Sequence, residues 1–419
     1  MKIAVIGAGI IGVTTAYELA LDGHEVTVFE RRLAAAEESS FAIAGVVAPG
    51  YIAPWAAPGM SLKIARHLFS KHAPVRIRLP LSASDMAWMW KCWRACDLDA
   101  YVRNRTRLQR LAFYSRDRLK QISDELELEY DHSEGYMVLL RSERDHALMK
   151  PSLQVLRDAG VPFNELSPEG ARKVELALNP DTEFHSAVQL PSDEVGNCRQ
   201  FALLLKNVAL SKGVNFQFNT EVERLDTADG MVLSIAGAMP RRFDAAVVCA
   251  GVDSARLLRP LGLKIPMAAV HGYSVSAAVR EPLNAPRGAV MDERYKVVIS
   301  RLGQRVRVAG TAELGGRSDK LSSSALQTLY KVLQDWFPGA ATLSNGVQTW
   351  KGARPMLPDG PPLLGASGID GLWLNLGHGS SGWALSCGSA RAVADLIGGR
   401  SPEVDLDGFG VGRLLLSVS

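Results

Sequence analysis

Ile3-Ala4-Val5-Ile6-Gly7-Ala8-Gly9-Ile10-Ile11-Gly12 is the stretch that decides the fold. Its first four residues are uniformly apolar, as a strand buried on both faces must be. The three glycines then lead into Val13, Ala16, Tyr17 and Ala20, which recur at helical spacing. A second strand, Glu25-Val26-Thr27-Val28-Phe29, stops at the acid Glu30. Strand, glycine turn, helix, strand, acid is the order of a dinucleotide-binding unit. Gly7 permits the tight turn, Gly9 lets backbone approach a pyrophosphate, and Gly12 lets helix and strand pack closely. The helix start at Ile10 and Ile11 offers unpaired N–H groups to phosphate. Glu30, with Arg31 beside it, stands where a carboxylate accepts from ribose hydroxyls.

Glu30 favours a free 2′-hydroxyl, which both FAD and NAD have. The segment after it favours FAD. A plain NAD domain would continue with another strand-helix unit, but here comes the small, polar Glu38-Ser39-Ser40-Phe41-Ala42-Ile43-Ala44-Gly45. Such a segment can lay its backbone along the flavin.

The rest of the composition narrows the field. A chain of 419 residues fits two or three domains, and 47% hydrophobic with 22% charged residues is ordinary for a soluble protein. The net charge of +3 gives no reason to expect nucleic acid as a partner. Five cysteines are too few for a disulfide framework and suit a reducing cytoplasm. Cys92 and Cys96 have no matching pair to complete a zinc site, so no metal is expected. The apolar N-terminus superficially resembles a signal peptide, but cleavage there would remove the glycine motif.

Two long motifs carry a family resemblance. They are Ser39 to Gly59, containing Ser40-Phe41-Ala42-Ile43-Ala44-Gly45, and Gly352-Ala353-Arg354-Pro355 through Gly377-His378-Gly379-Ser380-Ser381-Gly382-Trp383. Leu190-Pro191-Ser192-Asp193-Glu194-Val195-Gly196 and Gly272-Tyr273-Ser274 lie between them. The chain thereby resembles the bacterial FAD-dependent D-amino acid dehydrogenases of DadA type, within the D-amino acid oxidase/glycine oxidase group. It departs from that pattern at Ile43 and Val46, where the family often has Asn and Gln, and at His271, where it usually has Lys.

The resemblance implies an α/β protein, α+β overall. A Rossmann-like FAD-binding domain would be assembled from 1–55, 195–270 and 345–419. A substrate domain from 56–194 and 271–344 would have a mainly antiparallel sheet. It implies non-covalent FAD held by Gly7, Gly9, Ile10, Ile11, Gly12, Glu30, Arg31, Ser39, Ser40, Ala44 and Gly45, by Val222 through its backbone, by Ala250 and Gly251, and by the loop Gly377, His378, Gly379, Ser380, Ser381, Gly382.

The implied reaction passes a hydride from the substrate Cα to FAD. Primary amines then yield a 2-oxo acid and ammonia, and D-proline-like secondary amines a cyclic imine. Arg354 is the first candidate for the substrate carboxylate, because its planar fork can hold both oxygens. Tyr51 and Tyr273 could donate hydroxyls or simply pack, and His271 could meet the amine or be a core histidine. Trp55 could wall the site. The implied acceptor is a quinone or another respiratory carrier; oxygen, as in an oxidase, and an NAD(P)-dependent or non-enzymatic reading stay open. The basic stretch 101–120 has Leu108, Leu111, Ser115, Leu119 and Ile122 on one helical face. Either it packs with a solvated charged side, or it brings a cytoplasmic protein to the inner face of the membrane.

Overall fold

The computed structural model describes residues 1–60, 72–227, 230–315 and 320–415. The opening motif folds as its pattern requires. Strand β1 (Lys2–Ile6) leads into helix α1 (Ile10–Leu21), and strand β2 (Glu25–Phe29) returns parallel to β1. Gly7 has φ of 103°, and a Cβ there would lie 2.6 Å from the Cys249 carbonyl oxygen. A Cβ on Gly12 would lie 1.8 Å from the Gly7 carbonyl oxygen. Neither position admits a side chain.

Six strands form the first sheet, in the order Leu363–Ala366, Leu372–Leu376, Ala245–Val248, β1, β2, Asn215–Gln217. Every neighbouring pair is parallel except the edge pair Leu363–Ala366 with Leu372–Leu376. This is why β1 reads as an unbroken apolar run: Ile3, Ala4 and Val5 are fully buried.

Three further helices frame the molecule: α2 (Ala83–Arg94), α3 (Leu98–Glu125) and α4 (Gly382–Ile397). α4 packs on α1, and α3 packs on α4. Leu108, Leu111, Ser115, Leu119 and Ile122 of α3 are all buried, as their spacing requires. The cations of α3 are largely engaged within the chain. Arg118 holds the fully buried Glu18 of α1 at 2.7 Å, Arg107 pairs with Asp407 and Arg110 with Asp405. Arg105 is itself buried. The basic face that could have met lipid is mostly an intramolecular clamp.

The second sheet has ten strands and is mainly antiparallel. At its edge β3 (Ala268–Ala278) lies between β4 (Arg305–Gly315) and β5 (Gln348–Met356). Two placements differ from the domain limits read in the sequence. β5 belongs to this sheet although it falls within 345–419, and Val46–Val47 joins its far edge although it falls within 1–55, both stretches expected in the nucleotide domain. The nine-residue ladder from Ala268↔Met356 to Ser276↔Gln348 is a long-range pairing. Gly352 and Pro355 hide the strand from any local pattern.

Candidate active site

A groove open to solvent is lined from both sheets. Gly7, Gly9, Ile10, Ile11, Glu30, Arg31, Ser39, Ser40, Val222, Ala250, Gly251, Gly377, His378, Gly379, Ser380 and Gly382 all line it, and so does Arg354. Elements far apart in sequence thus converge on one surface.

Its chemistry fits FAD. The first turns of α1 and α4 both open on the groove, and neither N-cap residue caps its helix with a side chain. The Ile10 N–H already donates to the Ser40 hydroxyl at 3.1 Å, and the other N–H groups of the first turns are oriented donors for anionic groups. A Cβ on Gly9 would meet only the Ser40 hydroxyl at 3.4 Å, so the protein itself leaves room there. The Glu30 carboxylate is fixed by N–H donors from Ala8 and Arg32, both at 2.8 Å. It retains lone pairs for ribose hydroxyls. Arg31 is tied to Asp253 at 2.8 Å, and Asp253 also lines the groove. Asn375 Oδ1 is buried without a partner among the described residues, on a side chain that lines the same groove.

His378 is buried, its Nε2 3.0 Å from Ser389 Oγ, and burial pushes its pKa down to about 3. It is a neutral prop of the loop. Cys249 also lines the groove, with a thiol pushed up to about 12 by burial, so it is no nucleophile.

Gly12, Ala44, Gly45 and Ser381 do not line the groove. Gly12 acts on the Gly7 turn. Ala44 and Gly45 belong to a segment held from outside through three consecutive carbonyls. Arg307 donates to Ile43 (3.1 Å), Ser300 to Ala44 (3.0 Å) and the Trp383 indole to Gly45 (3.0 Å). Sequence reasoning missed Arg307 and Ser300, because strand register, not local pattern, brings them there.

The four candidates for chemistry separate. Arg354 Nη1 donates to the Thr311 carbonyl at 2.9 Å, and its guanidinium carbon lies 6.0 Å from the centre of the Trp55 ring. No carboxylate pairs with it among the described residues, and burial alone pushes its pKa down to about 10. Val270 and Gly272 of β3 stand opposite Arg354 and Gly352, while His271 and Tyr273 stand opposite Ala353 and Lys351. Strand alternation therefore sends His271 and Tyr273 to the face opposite Arg354.

On that opposite face the Tyr273 hydroxyl donates to Glu313 at 2.7 Å. His271 Nδ1 is buried without a partner among the described residues, and burial, then the charge of Lys351, pushes the ring below its ordinary pKa. Tyr51 donates its hydroxyl to Glu293, which Lys296 also pairs. The structure thus brings Arg354 to the groove and places Tyr51, Tyr273 and His271 elsewhere, each in its own polar setting.

Comparison with known proteins agrees with this architecture. The model of the DAO family, described as FAD dependent oxidoreductase, matches residues 2–396. A D-amino acid dehydrogenase of Bradyrhizobium diazoefficiens is 42% identical over 417 residues, covering 99% of each chain. One of Cereibacter sphaeroides is also 42% identical, covering 99% of this chain and 95% of its own. Glycine oxidase of Geobacillus kaustophilus superposes with a TM-score of 0.78 at 22% identity, covering 98% of this chain and 99% of that one. An L-α-glycerophosphate oxidase of Mycoplasma pneumoniae, solved with FAD bound, superposes with a TM-score of 0.70 at 17% identity, covering 95% of this chain and 94% of its own. With its groove, the two helix starts that open on it and its near full-length match, this chain belongs to the DAO family of FAD-dependent oxidoreductases.

Proposed function

We propose that this protein is a D-amino acid dehydrogenase that hands its electrons to a quinone-type carrier at a membrane surface. The observation that carries the substrate class is Arg354, a half-buried guanidinium on the groove with no carboxylate partner among the described residues. A desolvated cation without a counter-charge is costly, and a ligand carboxylate bound through two parallel hydrogen bonds offsets that cost. The names of the 42% identical relatives support the D configuration.

Bound FAD supplies the acceptor for the hydride that leaves Cα. The protein's own work is to orient and to exclude. Arg354 holds the carboxylate and so fixes the direction of the Cα–H bond. The Trp55 indole stands beside the cation, its ring centre 6.0 Å from the guanidinium carbon. None of the candidate side chains serves as a strong base on the groove: Tyr51 and Tyr273 donate to carboxylates elsewhere, His271 lies on the face opposite Arg354, and His378 is neutral. The amine therefore has to lose its proton to solvent before oxidation, so the rate of flavin reduction should rise with pH toward the amine's own pKa.

A membrane-borne acceptor is supported by α2. Met86, Trp90 and Trp93 are exposed on it, with Leu79, Leu98 and Val102 exposed nearby. Arg94 stacks on Trp90. Indoles edged by a cation suit the headgroup region of a bilayer. No helix among the described residues is long and apolar enough to cross a membrane.

The test is anaerobic bleaching of the flavin by paired D- and L-amino acids, followed by reoxidation with oxygen or a soluble quinone. D-selective bleaching and fast reoxidation only by quinone are expected. L-selective bleaching would remove the stereochemical assignment, and peroxide production at the turnover rate would make the protein an oxidase.

A further inference from the structure

We propose that Gly272 is a positioning residue, a seat that sets the plane of the Arg354 guanidinium and through it the substrate carboxylate. The proposal rests on the carboxylate role of Arg354 given above. Gly272 and Gly352 face each other across β3 and β5, on the face that carries Arg354. A Cβ on Gly272 would lie 2.3 Å from Arg354 Nη2, 2.6 Å from Cζ and 3.1 Å from Nε. Three atoms of the planar group thus lie over the glycine. A Cβ on Gly352 would lie 1.9 Å from the Trp350 ring, so the indole fills the neighbouring place. Neither glycine has a positive φ, so the backbone does not demand them. The side chains lying on them do.

A second feature holds the same group from another direction. His271 pairs with Glu313 and Tyr273 with Gly310, so β4 carries an extra residue opposite Gly272. Within this bulge Thr311 has φ of 58°, rare for a β-branched side chain, and its carbonyl receives Arg354 Nη1 at 2.9 Å. Such a conformation persists where the surroundings over-determine it. Bidentate recognition needs the plane of the fork fixed as well as its charge. Gly272 and the Thr311 carbonyl fix that plane without neutralising the charge, as an acidic partner would.

The test is a double-mutant cycle of Gly272→Ala and Arg354→Ala in the FAD-loaded enzyme. One readout is flavin reduction by an amino acid and by the amine that lacks only its carboxylate. The other is the Kd of the matching 2-oxo acid, read from the flavin spectrum without turnover. A methyl at 272 has to push the guanidinium by about 1 Å, a displacement that can cost roughly 100-fold. Gly272→Ala is expected to weaken the 2-oxo acid and raise the amino-acid KM by roughly 10- to 100-fold, with the amine unaffected. In the Arg354→Ala background the same change is expected to cost nothing, because the vacated space takes the methyl.

Unchanged 2-oxo acid affinity in Gly272→Ala, with the affinity lost in Arg354→Ala, would overturn the seat and leave the clamp standing. Unchanged affinity in Arg354→Ala would remove clamp and seat together. If Gly272→Ala alone does not fold, the double variant decides. Folding and binding like Arg354→Ala supports the seat, and failure to fold overturns it.

Discussion

The sheet around β3 carries a fully buried charge on one face and a half-buried one on the other, and treats them in opposite ways. On one face Glu313 accepts from the Tyr273 hydroxyl at 2.7 Å and from Lys351 Nζ at 3.3 Å, and Arg78 pairs with it at 2.7 Å. Its charge is matched by the protein. On the other face Arg354 has a backbone carbonyl and, among the described residues, no carboxylate. Desolvation is costly for both groups, but only Glu313 is compensated within the chain. A paired buried charge reads as architecture, and an unpaired one that lines a groove reads as a place for a ligand.

The contrast can be broken by exchanging consequences. Glu313→Gln should destabilise the fold by roughly 3 kcal/mol, because two cations lose their anion. Among molecules that remain folded, the preference for amino acid over the matched amine should be unchanged. Thermal unfolding and paired-substrate kinetics check both halves, and a stable variant with lost preference would reverse the roles of the faces.

Tyr273→Phe sharpens the same point with a smaller effect. It removes one hydrogen bond to a charged acceptor, worth about 1.5–3 kcal/mol, and should leave KM for the amino acid unaltered. A tenfold rise in KM would return Tyr273 to the substrate site.

The effect that is smallest near neutral pH concerns His378. Its folded pKa, about 3, lies below the ordinary 6.5. Between those values the unfolded chain takes up a proton that the native chain refuses. Stability should therefore be full above about pH 6.5 and fall by about 1.4 kcal/mol or less for each unit below it. His378→Asn can keep a hydrogen bond to Ser389 and should flatten that limb in a melting series. An unchanged slope would mean that the ring accepts the proton in the folded state.

The nucleotide end was legible because its signals are local. The glycine spacing, the acid after β2 and the small residues before α4 each declare themselves within a few positions. At the substrate end the sequence singles out Arg354, which the structure places on the groove. Tyr51, Tyr273 and His271 are chemically plausible side chains on or near the right elements. Strand parity separates Tyr273 and His271 from Arg354, and Tyr51 lies on a different segment, bonded to Glu293; no single-strand pattern contains either placement. The ion pairs of α3 could not be read for a similar reason, since Glu18, Asp405 and Asp407 lie far away in sequence. The strand Gln348–Met356 escaped its sheet for the same reason.

The central claim is that Arg354 is the carboxylate anchor. Anaerobic flavin reduction by a D-amino acid and by its matched amine, in wild type and Arg354→Ala, tests it most directly. The amino acid should lose about 3–4 kcal/mol of transition-state binding, roughly 100- to 1000-fold in efficiency, while the amine loses little. Equal losses for both ligands, with FAD still bound, would contradict the claim and make Arg354 a structural residue.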